Sequence, residues 1–402
     1  MREFMDHVHG AFYEATGWRR DNSYAALNAT SDALVGFPTP RGLRLTLSAL
    51  ASPNFATSYQ LGSVGVVDGS VSYLFSSVPL RAFLTPQSEA VPLPQLLRSY
   101  RPLPPLLPPT PPSRPAEAAS ASASSLLYGR LYLPQSRLEA LVVRRVSAAL
   151  QLQFSAVSAQ DLRDGGTALG LAQYDVGRYA LDALASSDGG LLGLRGLYNF
   201  GGDGEGCAAA DGDRERVHGR FSAGAEIYYG TLNKSGGVSV GGRFATLPTH
   251  RGTPLTATLT LNPLMGNVAA SYAVVAGKHC SLASRLEFNM FSYESAWAVG
   301  TELWRKPLTR PAAQARHPGR SFAAKMAWRL DEPPAPTAEV KRRGDGDEYA
   351  GVLKARLDQN LRIGLLWEGR VQSLLFSLGS GIDLRRLDKP FRTLGLEIQF
   401  SS

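Results

Sequence analysis

The chain has 402 residues, 44% of them hydrophobic and only 19% charged, with 42 Lys+Arg against 34 Asp+Glu for a formal net charge of +8. So large an apolar share, beside a charged share below the ~25% usual in soluble domains, excludes global disorder. Two cysteines, Cys207 and Cys280, exclude a disulfide scaffold and are spaced like no metal site.

Residues 1–36 read as an N-terminal helical segment, with Asp21 or Asn22 as candidate cap for DNSYAALNATSDAL. The opening MREFMDHVHGAF has acids early and no apolar block, so neither a secretory signal nor a cleaved presequence is expected. From Leu43 the period becomes two. Leu43, Leu45 and Leu47 alternate with Arg44, Thr46 and Ser48, and similar runs follow at 55–61 and 71–75. Residues 86–115 then hold eleven prolines, followed by AEAASASASS. Proline lacks the N–H that a strand ladder needs, so 84–124 is expected to be a surface loop, partly polyproline II and partly disordered.

Alternating segments resume at Leu126. They are expected at 126–133, 138–145, 147–157, 166–174, 190–199, 216–229, 236–246, 255–262, 267–276, 280–290, 294–304, 321–329, 350–358, 361–368, 371–380 and 391–400. With the three before the loop they make about 19 strands. A second insert loop is expected over 307–347, around the strand-like SFAAKMAWR. The chain therefore reads as a helical segment, 1–36, and one sheet domain, 37–402.

Period-two strands suit a soluble sandwich or a membrane barrel equally. Three features favour the barrel. The segments run to about ten residues, the length of a tilted membrane strand. Nearly twenty strands in one open sheet would be exceptional, whereas closure removes every edge. Aromatics stand near segment ends, at Tyr228, Tyr229, Phe291, Tyr293 and Trp304, like an interfacial girdle. No apolar stretch suits a spanning helix: the charge-free Gly252–Gly277 run is broken by prolines and alternates with threonine. The fold class expected is all-β, a closed transmembrane β-barrel of about 19 strands, porin/VDAC-like. Its lumen would be too wide for side chains to fill, and residues 1–36 would either occupy it or pack elsewhere.

The last strand ends FRTLGLEIQFSS. Thr393, Gly395, Ile398 and Phe400 satisfy a polar-x-Gly-x-x-hydrophobic-x-hydrophobic pattern that resembles the sorting signal of mitochondrial outer-membrane barrels. More of the text carries a resemblance: RDNSYAAL, LRLTLSALASPNFATSYQLGSVGVVDGSVSYLFSSVPL and QNLRIGLLWEGRVQSLLFSLGSGIDLRRLDKPFRTLGLEIQFSS. These resemble the fungal mitochondrial distribution and morphology protein 10 family, over about 20–80 and 350–402 and more faintly over 216–305. The resemblance implies a 19-stranded barrel of the outer mitochondrial membrane. It implies partners among subunits of the ER–mitochondria encounter structure, of the sorting and assembly machinery and of the outer-membrane translocase, together with membrane lipids.

Chemistry is not expected. The pair His7-x-His9 has no third ligand at helix or strand spacing. Gly202-x-Gly204-x-Gly206 lacks the strand–helix setting of a dinucleotide loop, and Asp203, Glu205, Asp211 and Asp213 lack EF-hand spacing. No P-loop occurs. The basic residues interleave with apolar ones at strand period, which argues against nucleic acid. No catalytic, metal or cofactor site is therefore assigned. The functions left are a protein-holding scaffold, an anion or metabolite channel and a soluble binding protein. For a scaffold, exposed aromatics near strand ends are the natural contacts. Tyr73, Phe75, Tyr293 and Trp297 are the candidates, against the alternative that they only line the lipid girdle.

Overall fold

In a computed structural model the chain is described except at residues 65, 83, 85–87, 89–90, 105, 107–123, 161, 163–164, 202–218, 249–251, 278, 307–348, 386–390 and 402. Nineteen strands form one sheet. They are β1 Gly42–Ser52, β2 Phe55–Val64, β3 Val66–Ser76, β4 Ser125–Leu133, β5 Arg137–Arg145, β6 Leu150–Ser158 and β7 Gly166–Asp175. Next come β8 Tyr179–Ser186, β9 Leu191–Phe200, β10 Gly219–Gly230, β11 Ser235–Thr246, β12 Leu255–Asn262 and β13 Asn267–Val275. The last are β14 Cys280–Asn289, β15 Ser295–Arg305, β16 Gly351–Asp358, β17 Arg362–Val371, β18 Leu374–Asp383 and β19 Phe391–Ser401. Each consecutive pair is antiparallel, and β1 pairs in parallel with β19, from Gly42↔Gly395 to Ser48↔Ser401. The ring is thus closed and has no free edge, the condition for sheet backbone in lipid.

The alternation sorts the two faces. Leu43, Leu45, Leu47, Leu131, Phe154, Leu194, Ile227, Leu259, Leu286 and Leu378 are all exposed on the outside. Arg44, Thr46 and Ser48 share the inner face, as do Gln60, Arg130, Asp182, Arg243, Glu302, Lys354 and Glu368. Among the described outer positions of the strands only hydroxyls such as Ser284, Thr301 and Ser380 interrupt the apolar band, apart from Arg144 and Arg305 at strand ends. Among the described residues no helix is long and apolar enough to cross a membrane. A closed ring with this apolar exterior is a membrane-spanning barrel.

The register adds one strand to the expected list. Tyr179–Ser186 is a strand, with Leu171↔Leu184 in its pairing to β7. The expected strand 321–329 lies outside the described residues, and the ring closes without it because β15 pairs directly with β16.

The two mouths differ. At one, here the loop mouth, lie the connections 77–124, 201–218, 247–254 and 306–350, together with the end of β19. At the other, the turn mouth, most connections are tight: 134–136, 187–190, 231–234, 263–266 and 359–361.

Candidate functional site: an occupied lumen

Residues 1–41 wind once around the inner wall before entering β1. Helix α1, Phe4–Thr16, buries Phe4, Met5, Val8, Ala11 and Phe12, a helical-period stripe. The stripe meets the inward Ala56, Leu74, Leu126 and Val143 of β2 to β5. Gly17 ends the helix at φ 67, where the left-handed conformation costs glycine nothing. The chain then crosses β7 to β11. Asn22 donates to Asp175 Oδ1 at 2.6 Å and to the Gly177 carbonyl at 3.0 Å, while Asn199 donates to Asn22 Oδ1 at 2.7 Å. Ser23 donates to Asp182 at 2.6 Å, and the Tyr24 hydroxyl meets Ser239 at 2.7 Å. Asn22 therefore anchors the segment rather than capping a helix; the local cap is Ser23, which accepts from the Ala25 N–H.

Helix α2, Ala29–Val35, seats Leu34 and Val35 on Ala273 and Ala283. Arg285 pairs with Asp32 at 3.0 Å. Arg356 then donates to the Phe37 carbonyl at 3.0 Å. Finally Pro40 and Arg41 cross the inner face of Gly379 and Gly395, which face each other across β18 and β19. A Cβ on either glycine would overlap Pro40. Residues 4–41 thus run along inward-facing residues of the strands.

A second piece of chain enters from the loop mouth. The 84–124 loop was expected on the surface; its described residues instead fold into the barrel. Leu80 and Leu84 join the α1 cluster. Helix α3, Leu93–Leu96, with Val91 and Leu97 packs on the inward Val352 and Leu375. The strap crosses the mouth by backbone contacts to the wall: Arg370 donates to the Ser88 and Val91 carbonyls at 2.7 Å, and Arg220 donates to that of Pro104 at 3.2 Å. Proline forbids ladder pairing but not this, because the wall supplies donors to free carbonyls.

Beneath the strap lies the most desolvated charge cluster. The Lys354 and Glu368 side chains are 1% and 0% exposed, with Nζ 2.9 Å from Oε2. Lys354 also donates to the Arg98 carbonyl, the Met1 ammonium pairs with Glu368, and Glu302 accepts from the Tyr100 N–H at 3.4 Å. Both inserted segments are thus tied to one wall of β15 to β17.

The sequence-predicted positions fall as follows. Leu394, Leu396, Ile398 and Phe400 point outward, while Thr393 and Gly395 point inward. Tyr73 and Phe75 are exposed on the outer face of β3 near the loop mouth, Tyr73 stacking on Phe55 at 5.9 Å. Tyr293 stands in the β14–β15 turn at the opposite mouth, 81% exposed, with Trp297 on the outer face of β15. Two of the expected girdle aromatics turn inward: Tyr228 donates to Glu226 at 2.8 Å, and Trp304 packs on Tyr349. His7 and His9 are held in α1, and no cluster of metal-ligating residues occurs among the described residues. Residues 202–218, with their glycine and acidic motifs, and all of 307–347 lie outside the described residues. The lumenal partners were not readable in advance, because each contact joins residues far apart in the chain.

A closed barrel of 19 strands, sealed by one parallel pair and lined by its own N-terminus, defines a porin-type membrane barrel whose lumen is partly occupied from within. The chain belongs to the mitochondrial distribution and morphology protein 10 family, whose family model matches residues 1–334 and 309–402. It is 56% identical to the protein of that name from Podospora anserina, over 100% of both chains. It is 58% identical to that of Chaetomium globosum, over 95% of this chain and 99% of the relative, and 53% identical to that of Neurospora crassa, over 100% of both. Membership gives it a role in mitochondrial distribution and morphology.

Proposed function

We propose that this barrel is a non-catalytic scaffold of the outer mitochondrial membrane rather than a diffusion pore. In this reading it anchors the ER–mitochondria encounter structure and also joins the sorting and assembly machinery, aiding assembly of other outer-membrane barrels and of the translocase. The observation that carries the reading is the lumen. A channel needs a continuous wet path, whereas here a full circuit of N-terminal chain and a strap across the loop mouth occupy the bore, down to a Lys354–Glu368 pair with no access to water. The candidate contacts support two separate docking faces. Tyr73 and Phe75 lie on β3 near one mouth, Tyr293 and Trp297 seven strands away around the ring near the other. Aromatics so placed are suited to anchor partners.

Two measurements test this. Purified protein in a planar bilayer is expected to give no large voltage-dependent conductance; such conductance would sink the scaffold reading in favour of an anion or metabolite channel. In native membranes, Tyr73→Ala with Phe75→Ala is expected to deplete one set of co-purifying partners, and Tyr293→Ala with Trp297→Ala the other. Unchanged partner sets for both variants would return these residues to the lipid girdle.

A further inference from the structure

The outer rim of the loop mouth carries charge of one sign. Among the described residues, the charged side chains at outward strand positions are Arg144 on β5 and Arg305 on β15, both exposed and both at loop-mouth ends. Arg178, in the β7–β8 connection, is exposed at the same mouth. None of these three guanidinium groups has an ion pair or a hydrogen bond among the described residues. The inward Arg137, Arg195, Arg285 and Arg362, by contrast, each face a carboxylate. Arg178 also has a rigid setting. Its carbonyl accepts from the Asn199 N–H at 2.9 Å, and the Val176 N–H donates to the Tyr179 carbonyl at 3.1 Å, so the turn is fastened to β9. From the inner side Asn22 and Asn199 both donate to the Gly177 carbonyl, at 3.0 and 2.8 Å. The guanidinium lies 5.5 Å from the centre of the outward Tyr198 ring. Tyr179 stands opposite Tyr198 across β8 and β9 and is 6.1 Å from Tyr174. On the other side the rings continue from Tyr198 to Phe200 at 4.8 Å and from Phe200 to Phe221 at 5.6 Å.

We propose that Arg178 and this row of rings form an outer-rim site for one anionic phospholipid, with Arg178 on the phosphate and the rings along the upper acyl chains. One face of the guanidinium is spent on Tyr198, which leaves its N–H edge to meet phosphate oxygens in the same plane. Tyr and Phe at a strand end belong to the boundary between headgroups and hydrocarbon. The row runs directly into the lipid-facing band, through the exposed Leu181 and Leu194, so the medium already touching the patch is lipid. An acidic polypeptide would match the charge but would have to displace the bilayer from these rings. The sign follows from the rim. A zwitterionic headgroup brings an ammonium, and no described outward strand position offers it a carboxylate. A net negative headgroup needs only the phosphate contact, and the field of Arg144 on the same wall adds to the attraction. The site rests on the membrane-barrel reading but not on any tethering role.

The full-length protein, purified in a neutral detergent, is titrated with phosphatidylinositol or with phosphatidylcholine of matched chains and read by native mass spectrometry. One phosphatidylinositol is expected to bind ahead of phosphatidylcholine. Arg178→Gln is expected to weaken it about fivefold, the loss of the ~1 kcal/mol that one arginine contributes at a membrane surface, and to leave phosphatidylcholine binding unchanged. Tyr198→Leu keeps the charge and removes the ring beneath it, so a drop of about twofold is expected. The turn's backbone bonds do not involve the Arg178 side chain, so Arg178→Gln leaves the hairpin in place. Lys234→Gln, in the β10–β11 turn at the opposite mouth, should change nothing. Equal binding of the two lipids overturns the site. So does undiminished phosphatidylinositol binding in Arg178→Gln, and so does a loss of the same size in Lys234→Gln, which marks general charge attraction. Glycerophosphoinositol bound as tightly as the intact lipid overturns the acyl contacts and with them the lipid site. An acidic polypeptide that co-purifies from native membranes, is lost in Arg178→Gln and is not displaced by phosphatidylinositol makes the rim a protein-docking face instead.

Discussion

The two ends of the lumen handle charge in opposite ways. Toward the loop mouth, Lys354 and Glu368 are stripped of water and covered by chain from two distant parts of the sequence. Toward the turn mouth, Arg285 and Asp32 make a pair of similar geometry, yet their side chains are 33% and 56% exposed. Identical chemistry therefore does different things: in the first place a lost partner strands a charge without solvent, in the second water replaces it.

The largest effect is accordingly expected at Lys354. Lys354→Met removes the cation facing Glu368 and Glu302 and the donor to the strap carbonyl of Arg98. Breaking one side of a buried pair costs ~3–5 kcal/mol. The ring itself is held by its ladder, so the loss should appear as release of the strap, read as new protease cleavage between residues 88 and 106. An unchanged digestion pattern would show that the apolar contacts of Leu93, Leu96 and Leu97 hold the strap alone.

Next comes acid. His9 is pushed down to about 4 by burial, partly offset by Asp6, which favours its protonated form, and reinforced by Arg20, which disfavours it. It packs edge-on against Tyr128 at 5.4 Å, and its Nε2 is buried without a hydrogen-bond partner. Released α1 binds that proton more readily than docked α1, so docking is strongest above the ordinary histidine range near ~6.5 and weakens as pH falls toward about 4, by ~3 kcal/mol in all. Protease access to residues 1–20 should rise over that window, and His9→Phe should flatten the dependence. A profile that His9→Phe leaves unaltered assigns the acid response to other groups.

A smaller, more local effect separates two glycine classes. Gly395→Ala drives a Cβ into the backbone of Pro40 and Arg41, and overpacking of this kind costs ~1–3 kcal/mol. Gly170→Ala adds a methyl that meets only the Ala185 carbonyl oxygen at 3.8 Å, an ordinary contact, and should be near neutral. The glycine of the sorting pattern thus has a duty inside the bore, as the floor over which the N-terminal chain passes into β1. Carbonate-resistant levels of Gly395→Ala equal to wild type, with a wild-type cleavage pattern around residue 40, would remove that duty.

The barrel was legible because lipid outside and water inside impose a period of two on nearly every strand. Leu43, Leu45 and Leu47 against Arg44, Thr46 and Ser48 give both faces of β1 at a glance, and Leu394, Leu396, Ile398 and Phe400 do the same for β19. The pattern failed where both faces are apolar. In YALDALAS, Leu181 faces lipid and Leu184 the bore, with alanines between, so β8 left no clear period. The filling of the lumen was invisible for another reason. Asn22 with Asn199, Tyr100 with Glu302 and Pro40 with Gly395 are contacts between residues far apart in the chain, and a proline-rich run says only that no ladder forms, not where the chain goes. Tyr228 and Trp304 show the same limit, since proximity to a strand end does not fix which face a ring takes.

The smallest effect is expected at Arg285, and its smallness is what tests the comparison between the two ends. Arg285 bridges Asp32 on α2 to the wall, but α2 is also seated by Leu34 and Val35 against Ala273 and Ala283, and the Leu34 carbonyl lies so close over Gly300 that a Cβ there would overlap it. Water reaches both charges, so Arg285→Ala removes an interaction of ~0–1 kcal/mol, and that fraction should fade as salt rises past ~0.1 M. Protease access to residues 28–36 should therefore change little at low salt and not at all at high salt. If Arg285→Ala instead frees α2 as fully as Lys354→Met frees the strap, the turn-mouth half of the bore is drier than its exposed carboxylates indicate, and hydration is not what distinguishes the two ends.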